Sequence, residues 1–315
     1  MLNRRHLRIK VLQILYAHFQ SNSKDLAKID SELKLSLERM YDMYIYLLLA
    51  FEPMVKAAEN RMEERKRKLL PTKEDLHPNP KFVANQVFKI ISESKILEEL
   101  SAQRKVNWFG VESTEMFKKM FSVATETECY GLYMVDEEVG FSKDLIFAVQ
   151  FFKESIANSQ AIYHFFEERS IYWMDDLDLC CAMVIKSMKA ISVEKPFQPL
   201  PKFKPEDDEE VFAHELLRIT TQKEKEFETL IASTAANWDA DRIAKMDMIM
   251  LKMGIAELLY FHSIPTNVTL NEYIEISKFY STPKSNIFIN GILDEIINQL
   301  KRENKIVKTG RGLLN

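Results

Sequence analysis

Glycine is nearly missing from this chain. There are seven in 315 residues and none before Gly110, against about 7% of residues in an average protein. Glycine supplies the tight turns of hairpins and phosphate loops. Its scarcity excludes a Rossmann fold, a P-loop NTPase and a turn-rich β-sandwich. Leu, Ile, Met, Glu and Lys abound instead, so the expected fold class is all-α. With 46% hydrophobic residues, a sizeable core can form.

The three cysteines, Cys129, Cys180 and Cys181, form neither a CxxC pair nor a disulfide framework. They predict a reduced, cytoplasmic chain without structural zinc. The first helix is followed by no small-residue cleavage site, so a signal peptide is not expected. The most apolar run, Met43 to Phe51, is nine residues long, against about 20 for a membrane span. No membrane partner is expected.

Net charge is −4, but its distribution is uneven. Residues 1–24 carry +5, residues 278–315 carry +4, and the middle carries −13. An acidic protein with two basic ends points to a local anion site, nucleic acid included.

Apolar periodicity predicts a first helix over 3–20, with Leu7, Val11, Ile14, Leu15 and Phe19 on one face. A long helical stretch over 25–69 is expected to kink or split near Pro53. Further helices are predicted at 82–105, 113–127, 142–168, 174–192, 209–234, 239–262, 270–280 and 283–303. Proline-rich linkers are expected at 71–80 and 195–208. Trp108, Trp173 and Trp238 lie 65 residues apart, as do Phe82, Phe147 and Phe212. That spacing is either a repeated helical hairpin or coincidence among core aromatics. Thr269 and Glu272 read as a capping box, and Thr282–Pro283 as an N-cap with proline at N1. Gly254 and Gly291 fall inside helices, which predicts close approach of another backbone there.

Catalytic patterns are weak. Asp175, Asp176 and Asp178 approach the aspartate motif that holds magnesium diphosphate in helical terpenoid synthases. Their spacing departs from it, and a solvated first helical turn explains them better. Glu74 and His77 have di-iron spacing but no partner copy; His164 with Glu167 and Glu168 is equally solitary. No enzyme, metal site or cofactor is expected.

Two basic clusters stand apart. Arg4, Arg5 and Arg8, with His6 between them, crowd the start of the first helix. Cations there oppose the macrodipole by about 0.3–1 kcal/mol each, and Arg4 and Arg8 repel at i, i+4. No acid nearby relieves this, so either a bound polyanion or plain solvent does. The second cluster lies at 281–288, where Lys284 and Ser285 open the last long helix. Phe288 stands one turn along, with Asn290 and Lys278 near in sequence. Base, helix N-terminus and aromatic ring together suit single-stranded nucleic acid.

Several motifs resemble the NusB family of bacterial transcription antitermination factors. They are R-R-H-L-R-I-K-V-L-Q-I-L-Y (4–16), W-D-A-D-R-I (238–243), Asp247, G-I-A-E-L (254–258), I-P-T-N-V (264–268), N-E-Y-I-E-I-S-K (271–278) and F-I-N-G-I-L-D (288–294). The resemblance covers residues 1–21 and 208–315. Residues 22–207 depart from it and read as a helical insertion. The division expected is therefore an N-terminal helical region over 1–207 and a C-terminal NusB-like bundle over 208–315. The resemblance implies an all-α fold and a factor that binds boxA-type RNA together with the ribosomal protein NusE. It further implies that this complex joins RNA polymerase and promotes ribosomal RNA transcription. It places Arg4, Arg5 and Arg8 in the RNA-binding helix, Phe288 in the RNA site and Tyr16 near the same functional surface. Some members are acidic where Lys284 stands. Two alternatives remain open: an RNA-binding module related to ribosomal RNA methyltransferases but lacking their catalytic domain, and a helical protein-interaction scaffold.

Overall fold

The computed structural model describes residues 2–21, 25–173, 175–203, 208–235 and 243–313. Among them no strand forms; the nearest thing is an isolated bridge between Ser192 and Lys195. No helix of the described residues is long and apolar enough to cross a membrane. The chain divides into two compact units, Met1–Leu37 with Lys202–Asn315, and Glu38–Pro201.

The first unit is built around α14 (Lys245–Tyr260), which buries Ile249, Met250, Leu251, Met253 through Ala256 and Leu258. A helix apolar on nearly every side belongs at the centre of a bundle. α1 (Arg4–Ser21) packs on α12 (Glu209–Gln222), α14 and α15 (Thr266–Tyr280). α16 (Ser285–Arg302) packs on α13 (Glu224–Thr234), α14 and α15. Lys252, buried on α14, is neutralised by Glu224 and Glu228 of α13 at 3.0 and 2.6 Å and lies over the Phe19 ring. Gly254 is closely packed, but by side chains and not by the expected backbone: a Cβ there would stand 3.1 Å from the Leu293 side chain of α16. Gly291 does not: a Cβ there would meet open space.

The second unit holds the end of α2 (Leu26–Leu49), then α3 (Phe51–Lys66), α4 (Lys73–Leu76), α5 (Gln86–Ser92), α6 (Lys95–Arg104) and α7 (Val111–Ala124). α8 (Glu128–Val135), α9 (Phe141–Phe151), α10 (Gln160–Arg169) and α11 (Leu177–Lys189) follow. The break before α3 falls at Ala50, and Pro53 sits in the first turn, where its missing N–H costs nothing. The helix expected over 142–168 is interrupted by a π-helical segment at 152–157 and restarts at α10, capped by Ser159. α8 was not expected; Thr127 caps it. The stretch at 71–80 is not bare linker, because Thr72 and Asp75 form a capping box on α4. The stretch from 195 is anchored too: Tyr41 donates to Leu200 O, and Ser94 to Phe197 O.

Trp108 and Trp173 play equivalent parts. Each indole N–H reaches a backbone carbonyl of α2, Tyr46 O at 2.8 Å for Trp108 and Arg39 O for Trp173. Phe82 and Phe147 share one aromatic cluster, ring centroids 6.0 Å apart. Trp238, the third of the 65-residue series, lies outside the described residues, as does most of the motif 238–243.

Candidate nucleic-acid interface

The basic start of α1 is not left uncompensated, contrary to expectation. Three carboxylates distant in sequence reach it, Glu257 of α14, Glu272 of α15 and Asp208 just before α12. Arg8 is 2% exposed, and its guanidinium donates to both oxygens of the fully buried Glu257 of α14, at 2.7 and 2.6 Å. Thr269 donates to the same carboxylate at 2.8 Å and Tyr273 at 3.4 Å. Burial is the largest single influence on Arg8 and would lower its pKa, but the charge and hydrogen bonds of Glu257, with the Tyr273 and Glu272 charges, together outweigh it and the net shift is upward. Arg8 is thus a core ion pair, not an open phosphate contact. Its proximity to Arg4 is offset because each guanidinium has a carboxylate partner, Glu257 for Arg8 and Asp208 for Arg4; both groups also lie over the Phe212 ring, at 5.3 and 5.2 Å.

Arg5 and Arg4 differ from Arg8 in being accessible. Arg5 grips Glu272 of α15 through Nε and Nη2 at 2.9 and 2.7 Å. That hydrogen bond raises the pKa of Arg5. Burial pushes the Glu272 carboxyl up, but Arg5 and Arg8 more than offset it and hold it below its usual range. Arg4 meets the exposed Asp208 at 3.1 Å. An exposed pair such as Arg4–Asp208 contributes about 0–1 kcal/mol, so a polyanion can displace it. Glu272 is therefore an ion-pair partner and not a cap. α15 starts earlier than expected, at Thr266, which leaves Thr269 inside the helix and buried.

Arg4, Arg5, His6 and Glu272 line an open cleft of about 650 Å³ whose far wall is Ser263 to Pro265 and Val268. His6 is half-buried there. Burial, reinforced by the neighbouring Arg5 charge, holds its pKa down at about 4. It therefore stands neutral at pH 7. Tyr16 lies further along α1, 38% exposed.

The second cluster surrounds the corner between α15 and α16. Lys278 is exposed and pairs with Glu275. Lys284 is exposed and precedes a first helical turn that contains no acid. Ser285 is a correction. It is buried, donates to Asp247 Oδ2 at 2.7 Å, and lies 2.8 Å from Thr282 Oγ1 and 3.0 Å from Ser281 Oγ. This hydroxyl cluster ties the corner to α14, and Ser285 is closed to a ligand. It also replaces the expected Thr282 cap, since α16 begins at Ser285 and not at Pro283. Phe288 is half-buried and Asn290 exposed. Two apolar residues of the corner escaped the sequence reading: Phe279 is 82% exposed and Ile287 68%. Helical phase was the available signal, because Phe279 falls off the buried stripe Thr269–Tyr273–Ile276.

α15 connects the two clusters. α1 and α16 both pack on it, and its residues Glu272, Glu275 and Lys278 follow at intervals of three. Arg5 engages the first, and Lys278 pairs with the second.

Other chemistry is poorly supplied. No group of three His, Cys, Asp or Glu among the described residues could hold a metal ion. Burial pushes the Cys181 thiol up to about 12 and the Cys129 thiol to about 11, where neither is a ready nucleophile. A larger cleft of about 1250 Å³ lies within the second unit beside α3 and α7. Its charged walls pair with each other, as in Lys118–Glu64 at 3.1 Å.

Residues 177–298 match the family model described as the NusB family. Three relatives carry the name transcription antitermination protein NusB. That of Salinibacter ruber is 43% identical over 103 residues, 33% of this chain and 64% of the relative. That of Chloroherpeton thalassium is 40% identical over 104 residues, 33% of this chain and 49% of the relative. That of Geobacter sulfurreducens is 44% identical over 89 residues, 28% of this chain and 64% of the relative. The chain thus spans about half to two thirds of the length of these relatives, and is itself longer than they are. No solved structure matches it.

Proposed function

We propose that this chain, whose residues 177–298 match the NusB family model, is a non-catalytic transcription antitermination factor. In this reading it binds single-stranded boxA-type RNA together with the ribosomal protein NusE. The complex joins RNA polymerase and promotes transcription of ribosomal RNA. The observation that carries the reading is the coincidence of two things. The family match ends in α16, and the cationic start of α1 folds onto that same unit, with Arg5 on Glu272.

The parts then have distinct tasks. Arg4 exchanges its exposed partner Asp208 for phosphate at little cost, because surface pairs are weak; Arg5, itself accessible, turns from the half-buried Glu272, which still has Arg8 at 3.5 Å, to phosphate. His6, neutral, adds a hydrogen-bonding edge to the cleft. Lys278, Lys284 and Asn290 extend the polar path along the α15–α16 corner, and Phe288 stacks on a base. Tyr16 faces the protein partner. Arg8 and Ser285 support the site from beneath: one fixes α1 against α14, the other fixes the corner.

The test is a titration of labelled boxA-type RNA with the full chain, with and without the NusE homologue, at several salt concentrations. Binding that tightens with the partner and weakens with salt supports the reading. Absence of RNA binding under both conditions sinks it.

A further inference from the structure

We propose that Phe279 is a second stacking platform for single-stranded RNA, placed in line with the cleft that holds Arg5. The inference rests on the RNA-binding reading and extends it to a residue outside the motifs quoted for that reading. Phe279 is 82% exposed near the end of α15 and contributes little to the core. A lone exposed apolar residue is unremarkable. This one is singled out by its phase and its neighbours.

Phe279 follows Glu272 by seven residues. Seven residues are close to two helical turns, so the two share a face, about 10 Å apart along the axis. Glu272 is the carboxylate gripped by Arg5. Glu275, four residues before Phe279, lies between them on that face and is paired with Lys278. The face therefore runs from the arginine cleft to the exposed ring. Its acids are already matched by cations.

The surroundings favour nucleic acid over a protein partner. Lys278 precedes the ring in the chain, and Lys284 lies just beyond the turn, exposed, with no acid in the helical turn it opens. Aromatic rings flanked by cations suit successive bases and their phosphates. The platform is also rigid, since the Ser281–Thr282–Ser285 hydroxyl cluster bonds the corner to Asp247. Ile287, 68% exposed on the first turn of α16, adds an apolar edge.

The experiment titrates the full chain with a labelled boxA-type single-stranded RNA. It compares wild type, Phe279→Ala, Phe279→Trp and Arg5→Ala, with a thermal melt of each. Phe279→Ala should weaken binding about ten-fold or more with an unchanged salt slope and melting midpoint, and Phe279→Trp should restore it. If Phe279→Ala binds like wild type while Arg5→Ala is weakened, the second platform is refuted and RNA binding stands. If Phe279→Ala loses only the effect of added NusE homologue, the ring is a protein contact and the inference is equally refuted. If wild type binds no RNA, both readings fall together.

Discussion

Arg8 and Glu257, 249 residues apart in sequence, form a buried bidentate ion pair at 2.6 and 2.7 Å that locks α1 to α14. Neither side chain sees appreciable solvent. A pair of this kind does not pull phosphate; it sets the position of the arginines that do. The same helix therefore carries a structural arginine one turn away from the proposed ligand-facing ones.

Removing one partner of that pair should be costly. Arg8→Ala leaves the Glu257 charge buried with only Thr269 and Tyr273 to satisfy it. A loss of about 3–5 kcal/mol is expected in chemical denaturation. A loss below about 1 kcal/mol would show that Arg8 is an open surface residue after all.

Arg5→Ala should behave in the opposite way. Its pair with Glu272 is partly exposed, so stability should change by less than about 1 kcal/mol. RNA binding should weaken across sequences, and the salt slope should flatten by about 0.7 for the lost phosphate contact. An unchanged slope in a weakened mutant would remove Arg5 from the phosphate path.

Phe288→Ala separates stacking from charge. Affinity should fall by about 1–3 kcal/mol with the salt slope intact. Because Phe288 is half-buried, melting must be followed as well. A variant that binds equally well, or one whose affinity loss only tracks unfolding, assigns the ring to the core.

His6 should make stability depend on pH. Its folded pKa of about 4 lies below the ordinary 6.5. Above pH 6.5 the ring is neutral folded or unfolded, and the stabilisation is complete. Between 6.5 and 4 the unfolded chain takes up a proton that the folded chain refuses, so stability falls as pH falls. Urea unfolding at pH 7 and pH 5 should show a smaller loss for His6→Gln than for wild type. Equal losses would mean that His6 is solvated.

The all-α class was legible because scarce glycine and apolar periodicity are properties of local sequence. α1 and α16 fell within a residue or two of their expected bounds for the same reason. The errors share a cause. Glu272 fits a local capping pattern, but its partner Arg5 is 267 residues away, and no local rule sees that distance. Ser285 looked ligand-facing because it is polar and near a helix start; Asp247, 38 residues back, buries it. Arg8 looked unrelieved because Glu257 lies two hundred residues beyond any window. Phe279 was readable from phase alone, since it falls off the buried stripe Thr269–Tyr273–Ile276.

The unit that carries the proposed interface is assembled from the two ends of the chain, Met1–Leu37 and Lys202–Asn315. On a ribosome adding about 5–20 residues per second, Arg8 emerges roughly 12–50 s before Glu257. Residues 38–201 are completed in the interval and can close on themselves. Throughout it α1 is an orphan, with Leu7, Val11 and Leu15 uncovered and its guanidinium groups unmatched. The nascent chain therefore presents a basic, amphipathic segment to chaperones and to nearby RNA for tens of seconds before its own carboxylates exist.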